Sequence, residues 1–311
     1  MQKIVTLGGG TGHFQVLKGL KNYDCDISAI VNVCDDGGSS GKLRDEYGYL
    51  PPGDLRQCIV ALGDSDSHIL RNLFRYRFKN GENHNLGNLI ITALSEITGS
   101  SAEGINQACK LMNIKGKVLP VSIDCASLYA EQESGEILKG QTQVSYPDKT
   151  TKVKKVYYSP EVYAYKQAVE EIKQADKIII CPGDLYGSVL PIFIVKGIKE
   201  ALQESKAKKI FICNLFTKKT QGLKASDFVK EIESYSGVKL DKIILNTYIP
   251  SDLVLEKYLS ENLEFVKDDL QEDKENKDKI IRGNFVKEYP LEEKTILRHV
   301  PEKIARVLIS I

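Results

Sequence analysis

Residues Ile4–His13, IVTLGGGTGH, decide how this chain is read. The β-prone run Ile4, Val5 and Leu7 stops at Gly8-Gly9-Gly10-Thr11-Gly12, and FQVLKGL follows with the pattern of a helix over 13–21. Strand, glycine turn and helix in that order aim unpaired backbone N–H groups and the positive end of a helix dipole at an anion, usually a phosphate. Glycine lets the main chain approach such a group closely. The strict pattern G-x-G-x-x-G fails, because His13 stands at the third glycine, and no Lys-Ser or Lys-Thr follows as in a P-loop. A bare strand-to-helix turn is the alternative. Four glycines in five residues exceed what such a turn needs.

Outward from this turn, strands and helices alternate. Near-continuous apolar runs at 3–7, 27–33, 177–181, 208–213 and 241–246 read as buried parallel strands. Helical patterns fall at 13–21, 54–62, 67–77, 86–98, 102–112, 160–175, 189–204, 225–235 and 251–260. The expected architecture is an α/β, Rossmann-like, mostly parallel sheet with helices on both faces. Residues 117–158 instead alternate polar and apolar, with turn signals at Ser134-Gly135 and Pro147-Asp148, and read as a small antiparallel β insertion. The simplest organisation is one nucleotide-binding domain over 1–311 carrying that insertion. The charged stretch 267–279 reads as a solvated loop.

With 42% hydrophobic and 27% charged residues, the 311-residue chain has the composition of a soluble enzyme-like protein. A net charge of +1 gives no general attraction to nucleic acid or to a membrane surface. No apolar stretch approaches 18 residues, so no membrane insertion is expected, and strand 1 begins too early to leave room for a signal peptide. The expected location is the cytoplasm. Seven cysteines without a C-x-x-C pair argue against a disulfide framework or zinc knuckle. Cys34 and Cys181 abut the candidate loops and are read as packing residues.

Four further loops carry chemistry. ISAIVNV leads into Cys34-Asp35-Asp36-Gly37-Gly38-Ser39-Ser40-Gly41. The Asp35 and Asp36 carboxylates suit a divalent cation, Mg²⁺ above all, or a reacting hydroxyl; Gly37 and Ser39 add ligand contacts. A polar turn capped by the aspartates is the bland alternative. Asp35 also stands 23 residues after Gly12, near the spacing of a ribose-binding acid, which keeps an NAD-binding protein in view. Pro51-Pro52-Gly53-Asp54 opens a helix with Asp54 as N-cap, and Arg56 in the first turn is placed to reach a phosphate. Asn83-His84-Asn85-Leu86-Gly87-Asn88 opens another, with Asn85 as N-cap and Asn88 a candidate contact. Cys181-Pro182-Gly183-Asp184-Leu185-Tyr186-Gly187-Ser188 mirrors the first glycine loop, giving Gly183, Asp184 and Tyr186 as candidates for a second part of a nucleotide.

Taken in order, GGGTG, VNVCDDGGSSGKLRDEYGYLPPGDLRQCIVAL, HNLGNL, ITG, KGKVLPVS, PGDLYGSVLP and ILRHV resemble the YvcK, or gluconeogenesis factor, family, a relative of the CofD 2-phospho-L-lactate transferases. The resemblance spans nearly the whole chain. It implies a Rossmann-like core that binds a nucleotide diphosphate. The YvcK branch implies UDP-N-acetylglucosamine as ligand and a regulatory role in cell shape and wall synthesis during gluconeogenic growth, with cell-wall synthesis proteins as partners. The transferase branch implies a Mg²⁺-dependent transfer of a phospholactyl group from a guanosine diphosphate-linked donor to a deazaflavin alcohol. Carried over, Gly9, Gly10, Thr11 and Gly12 meet the diphosphate, Asp35 and Asp36 line the reacting or metal position, and Tyr258 and Arg298 join the UDP-sugar site.

The chain departs from the family pattern in three places. Asn83-His84-Asn85 replaces Gly-His-Ser, and Asp184 and Gly187 alter the Gly-Pro-Gly-Ser-Leu-Tyr-Thr-Ser loop. The stretch Asn214–Thr220 lacks the usual acidic, glycine-rich character. A carboxylate at Asp184 beside a phosphate calls for a cation or a base N–H facing it.

Overall fold

Both faces of the central strands are covered, as their unbroken apolar runs require. In β1 (Gln2–Gly8) the last five residues are all buried, and in β7 (Lys177–Ile180) all four are. Successive side chains point to opposite sides of a sheet, so such runs survive only between two layers. The computed structural model describes residues 1–63, 68–78, 83–145, 152–217, 220–270, 278–291 and 294–311. The remaining strands are β2 (Cys25–Val31), β3 (Lys117–Pro120), β4 (Ser127–Gln132), β5 (Ile137–Lys139), β6 (Val153–Ser159), β8 (Lys208–Ile212), β9 (Lys242–Asn246), β10 (Ile280–Gly283), β11 (Val286–Leu291) and β12 (Lys294–His299).

Seven strands form one parallel sheet in the order β10-β9-β8-β7-β1-β2-β3. The chain runs outward from β1 through β2 to β3, then returns to lay β7 on the other side of β1 and runs outward again. The winding direction therefore reverses between β1 and β7, and in open α/β sheets ligands bind in the crevice beyond that reversal.

A three-stranded antiparallel sheet, β5-β4-β6, and a hairpin, β11-β12, are added to this core. The antiparallel insertion begins later than the alternation at 117 implies. Lys117–Pro120 pairs in parallel with β2 and forms the sheet's edge, with Val118, Leu119 and Pro120 all buried. True alternation of burial starts only in β4. The turn signal at Pro147-Asp148 lies outside the described residues, as do 271–277 of the charged stretch.

Two expected helices are shorter than their patterns. The pattern at 160–175 gives a helix only over Lys166–Gln174, because Ala164 N–H donates to the Lys196 carbonyl and Lys196 N–H to that of Val162. The pattern at 189–204 breaks into Leu190–Phe193, with Pro191 in its first turn, and Ile198–Glu204. Gly197, at φ +98°, makes the break. Gly38–Gly41, read from sequence as the end of a loop, instead opens the helix Gly38–Tyr47, with Ser39, Ser40, Gly41 and Leu43 buried. No helix among the described residues is long and apolar enough to cross a membrane.

Candidate ligand cleft

At the reversal lies a cleft of about 510 Å³. Its floor is the turn after β1: Gly9, Gly10, Thr11 and Gly12, with Gln15 one helical turn on. Gly9 is the N-cap of the helix Gly10–Leu20 and has no side chain with which to satisfy the first-turn amides. Gly10 sits at φ +66°. A Cβ on Gly12 would lie 1.8 Å from the Pro182 carbonyl oxygen, so only glycine lets the β1 and β7 loops meet.

The loop after β7 supplies Pro182, Gly183, Asp184 and Ser188. Asp184 caps the π-helical turn Leu185–Val189, its Oδ1 accepting the Gly187 N–H at 3.0 Å, while Oδ2 is buried without a partner. The loop after β8 supplies Asn214, Leu215 and Phe216, and Asn214 Nδ2 donates to the Gly183 carbonyl at 2.6 Å. The far wall combines Lys257 and Tyr258 of the helix Asp252–Ser260 with Glu261 and Leu263 and with Ile296–His299 of β12.

Two further carboxylates, Asp35 and Asp54, line the cleft, and Asp54 lies against the glycine floor. Burial raises the Asp35 carboxyl above its ordinary range, against the pull of the Gly37 N–H at 3.0 Å and of Ser40. Asp54 is pushed up to about 7, first by burial and then by the charge of Asp35, although Gly10 N–H donates to it. Its Oδ2 lies 2.3 Å from where a Cβ on Gly9 would stand. Asp54 is therefore not the N-cap expected from sequence. Pro52 holds that place, and Asp54 turns its carboxylate to the glycine loop.

Of the residues singled out from sequence, Gly9, Gly10, Thr11, Gly12, Asp35, Gly183, Asp184, Tyr258 and Arg298 line the cleft. Asp36, Gly37, Ser39, Asn88 and Tyr186 do not. Asp36 accepts from Thr142 N–H at 2.8 Å and from its hydroxyl at 2.7 Å. Ser39 Oγ bonds His84 Nδ1 at 3.1 Å and Asn88 Nδ2 at 3.2 Å, and Asn88 Oδ1 accepts from Arg56 Nε at 2.8 Å. These residues knit the helix starts at Gly38, Gly53 and Leu86 together; Asn85 caps the last of them. Burial raises the Tyr186 phenol, which packs against the core. Tyr258 is held on two sides: its ring stacks on Phe216 at 4.1 Å, and its hydroxyl accepts the Leu297 N–H at 2.8 Å.

Sequence reasoning missed Gln15, Asp54, Gln141, Asn214 and Phe216 as cleft residues. The signal for Asn214–Phe216 was present: they follow a buried parallel strand on the same rim as the glycine loops. All seven cysteines are free, and Cys34 and Cys181 are buried thiols, Cys34 raised to about 12 by burial. That agrees with packing roles.

Residues 4–286 match the family model of 2-phospho-L-lactate transferase CofD. A Thermotoga maritima protein is 43% identical over 313 residues, covering 98% of each chain. The gluconeogenesis factor of Halalkalibacterium halodurans is 40% identical, covering 99% of this chain and 96% of its own. A crystal structure of a UPF0052-family protein from Bacillus halodurans superposes with a TM-score of 0.92 at 39% identity, over 99% of this chain and 100% of that one. The chain belongs to the CofD family. Its full-length similarity within that family runs to gluconeogenesis factors.

Proposed function

We propose that the cleft binds UDP-N-acetylglucosamine and that the protein is a cytosolic regulator supporting cell shape and wall synthesis during growth on gluconeogenic carbon sources, acting through cell-wall synthesis proteins. The observation that carries this reading is the convergence of the β1 and β7 loops at the sheet's reversal, in a cleft that Arg298 on β12 also lines. First-turn helix amides other than that of Gly10, which Asp54 takes, and a guanidinium fork lining the same cleft suit a pyrophosphate. A cleft of about 510 Å³ also suits a ligand of that size.

One observation favours a second reading, a CofD-like transferase. Asp35 and Asp54 line the cleft together, and Mg²⁺ typically takes one or two carboxylates plus phosphate oxygens. Those two residues would hold the cation, which would offset charge on the transferring group. No cluster of three or more metal-ligating side chains occurs among the described residues.

Calorimetric titration with UDP-N-acetylglucosamine, guanosine diphosphate and NAD, each with and without Mg²⁺, separates these readings. Binding of the UDP-sugar without turnover is the expected result. Consumption of a guanosine-linked donor with a deazaflavin acceptor would establish the transferase instead. Arg298→Ala should weaken UDP-sugar binding about 10- to 100-fold, the worth of one charge-assisted fork, with little change in melting temperature. Unchanged affinity would remove β12 from the site.

A further inference from the structure

The antiparallel insertion reaches the cleft through one short helix, Gln141–Ser145, which follows β5. Its start is fastened to the loop after β2, because Thr142 offers both its N–H and its hydroxyl to Asp36 Oδ1. The approach is close: Gly140 sits at φ +90°, and a Cβ there would lie 2.0 Å from Asp36 Oδ2. Its end packs closely against the loop after β7, where a Cβ on Gly187 would lie 2.2 Å from Ser145 Oγ. A second tie comes from the same insertion. Tyr158 on β6 donates to Asn32 Oδ1 at 3.2 Å, and Asn32 Nδ2 donates to the Gly187 carbonyl at 3.3 Å. Just before Thr142, Gln141 lines the cleft, its Nε2 donating to Ser145 Oγ at 3.0 Å. That bond leaves Oε1 as an acceptor.

We propose that Asp36 is a positioning residue rather than a cation ligand: it anchors the Gln141–Ser145 helix beside the cleft, so that Gln141 Oε1 accepts a hydroxyl from the sugar of the bound nucleotide. The neighbouring aspartates thus divide their work. Asp35 lines the cleft, and Asp36 holds the segment that brings Gln141 to it. Because both bonds from Thr142 end on one oxygen, a neutral acceptor of the same shape can replace the carboxylate.

The inference rests on the nucleotide-sugar reading, and two measurements keep their failures apart. In ligand-free protein, hydrogen exchange at the Thr142 amide should quicken at least tenfold in Asp36→Ala and be restored in Asp36→Asn. Unchanged exchange in Asp36→Ala would overturn the anchor whatever the cleft binds. In calorimetry with UDP-N-acetylglucosamine, Asp36→Ala and Gln141→Ala should each lose about tenfold in affinity, the worth of about one hydrogen bond. The double variant should lose no more than either, and Asp36→Asn should recover most of the loss with its Mg²⁺ response intact. Additive losses, or an Asp36→Asn protein as weak as Asp36→Ala and indifferent to Mg²⁺, would make Asp36 a ligand residue. If the unaltered protein fails to bind the UDP-sugar, the parent reading falls, and the exchange experiment still judges the anchor.

Discussion

Asp54 is the residue whose environment differs most from what its neighbours in sequence imply. Following two prolines and a glycine at a helix start, it has every local mark of a cap. The fold instead turns it towards Gly10 and beside Asp35, where its carboxyl titrates near 7. A folded-state value above the unfolded one means that the protonated form is favoured in the native protein. The group's contribution is then fully present below pH 4 and lost as pH rises through 7. Asp54→Asn should therefore stabilise the protein by about 4 kcal/mol at pH 8 and hardly at all at pH 4, read from urea unfolding at both values. The reverse trend would mean that Asp54 is ionised and paired in the native state. Asp54 escaped sequence reading because its burial and the charge of Asp35, on the far side of the helix Gly38–Tyr47, are set by how the chain packs and not by its neighbours in sequence.

Among elements, those whose burial matches their own pattern were legible in the sequence. The five expected strands all appear, because a strand sandwiched between layers has to be apolar throughout. The helix Gly38–Tyr47 was not legible, since GSSG is a poor helix former and is held by contacts made elsewhere. The hairpin β11–β12 was equally obscure. Its strands mix lysine, glutamate and aromatic residues, and the face that matters is defined by Tyr258 and Phe216 across a gap in sequence. Yet this hairpin carries Arg298, so its position was the least legible part of the candidate site. The turn after β1 is the opposite case, with its chemistry in plain view. Gly12→Ala tests it directly. The carbonyl of Pro182 cannot swing aside as a side chain would, so the variant should lose about 3 kcal/mol of stability and most nucleotide affinity together. A variant with native stability would show that the two loops are free to part.

Across the whole molecule, buried titratable groups set opposing pH trends. His13, held by Thr6 at 2.7 Å, and His299 are both lowered to about 4, mainly by burial. A histidine depressed in the native state leaves the unfolded chain with more bound protons between pH 4 and 6.5, so stability falls as pH drops through that window. From pH 7 to pH 5 each costs about 2 kcal/mol, while Asp54 gains a similar amount in the same interval. The two histidines together outweigh Asp54, so the unaltered protein should lose about 2 kcal/mol there. Asp54→Asn should uncover the histidine slope and lose about 4 kcal/mol between pH 7 and pH 5. A profile no steeper than that of the unaltered protein would mean that the histidines are not buried neutral.

The reversal between β1 and β7 also has a bearing on how the molecule comes apart. The cleft there is lined by both Gly9 and Arg298, so a guest lodged in it acts as a clip between the front of the polypeptide and its rear. Such a clip resists any opening that peels either end away, much as a cross-link does. Occupancy should therefore protect the termini from proteases as strongly as it protects the middle of the chain.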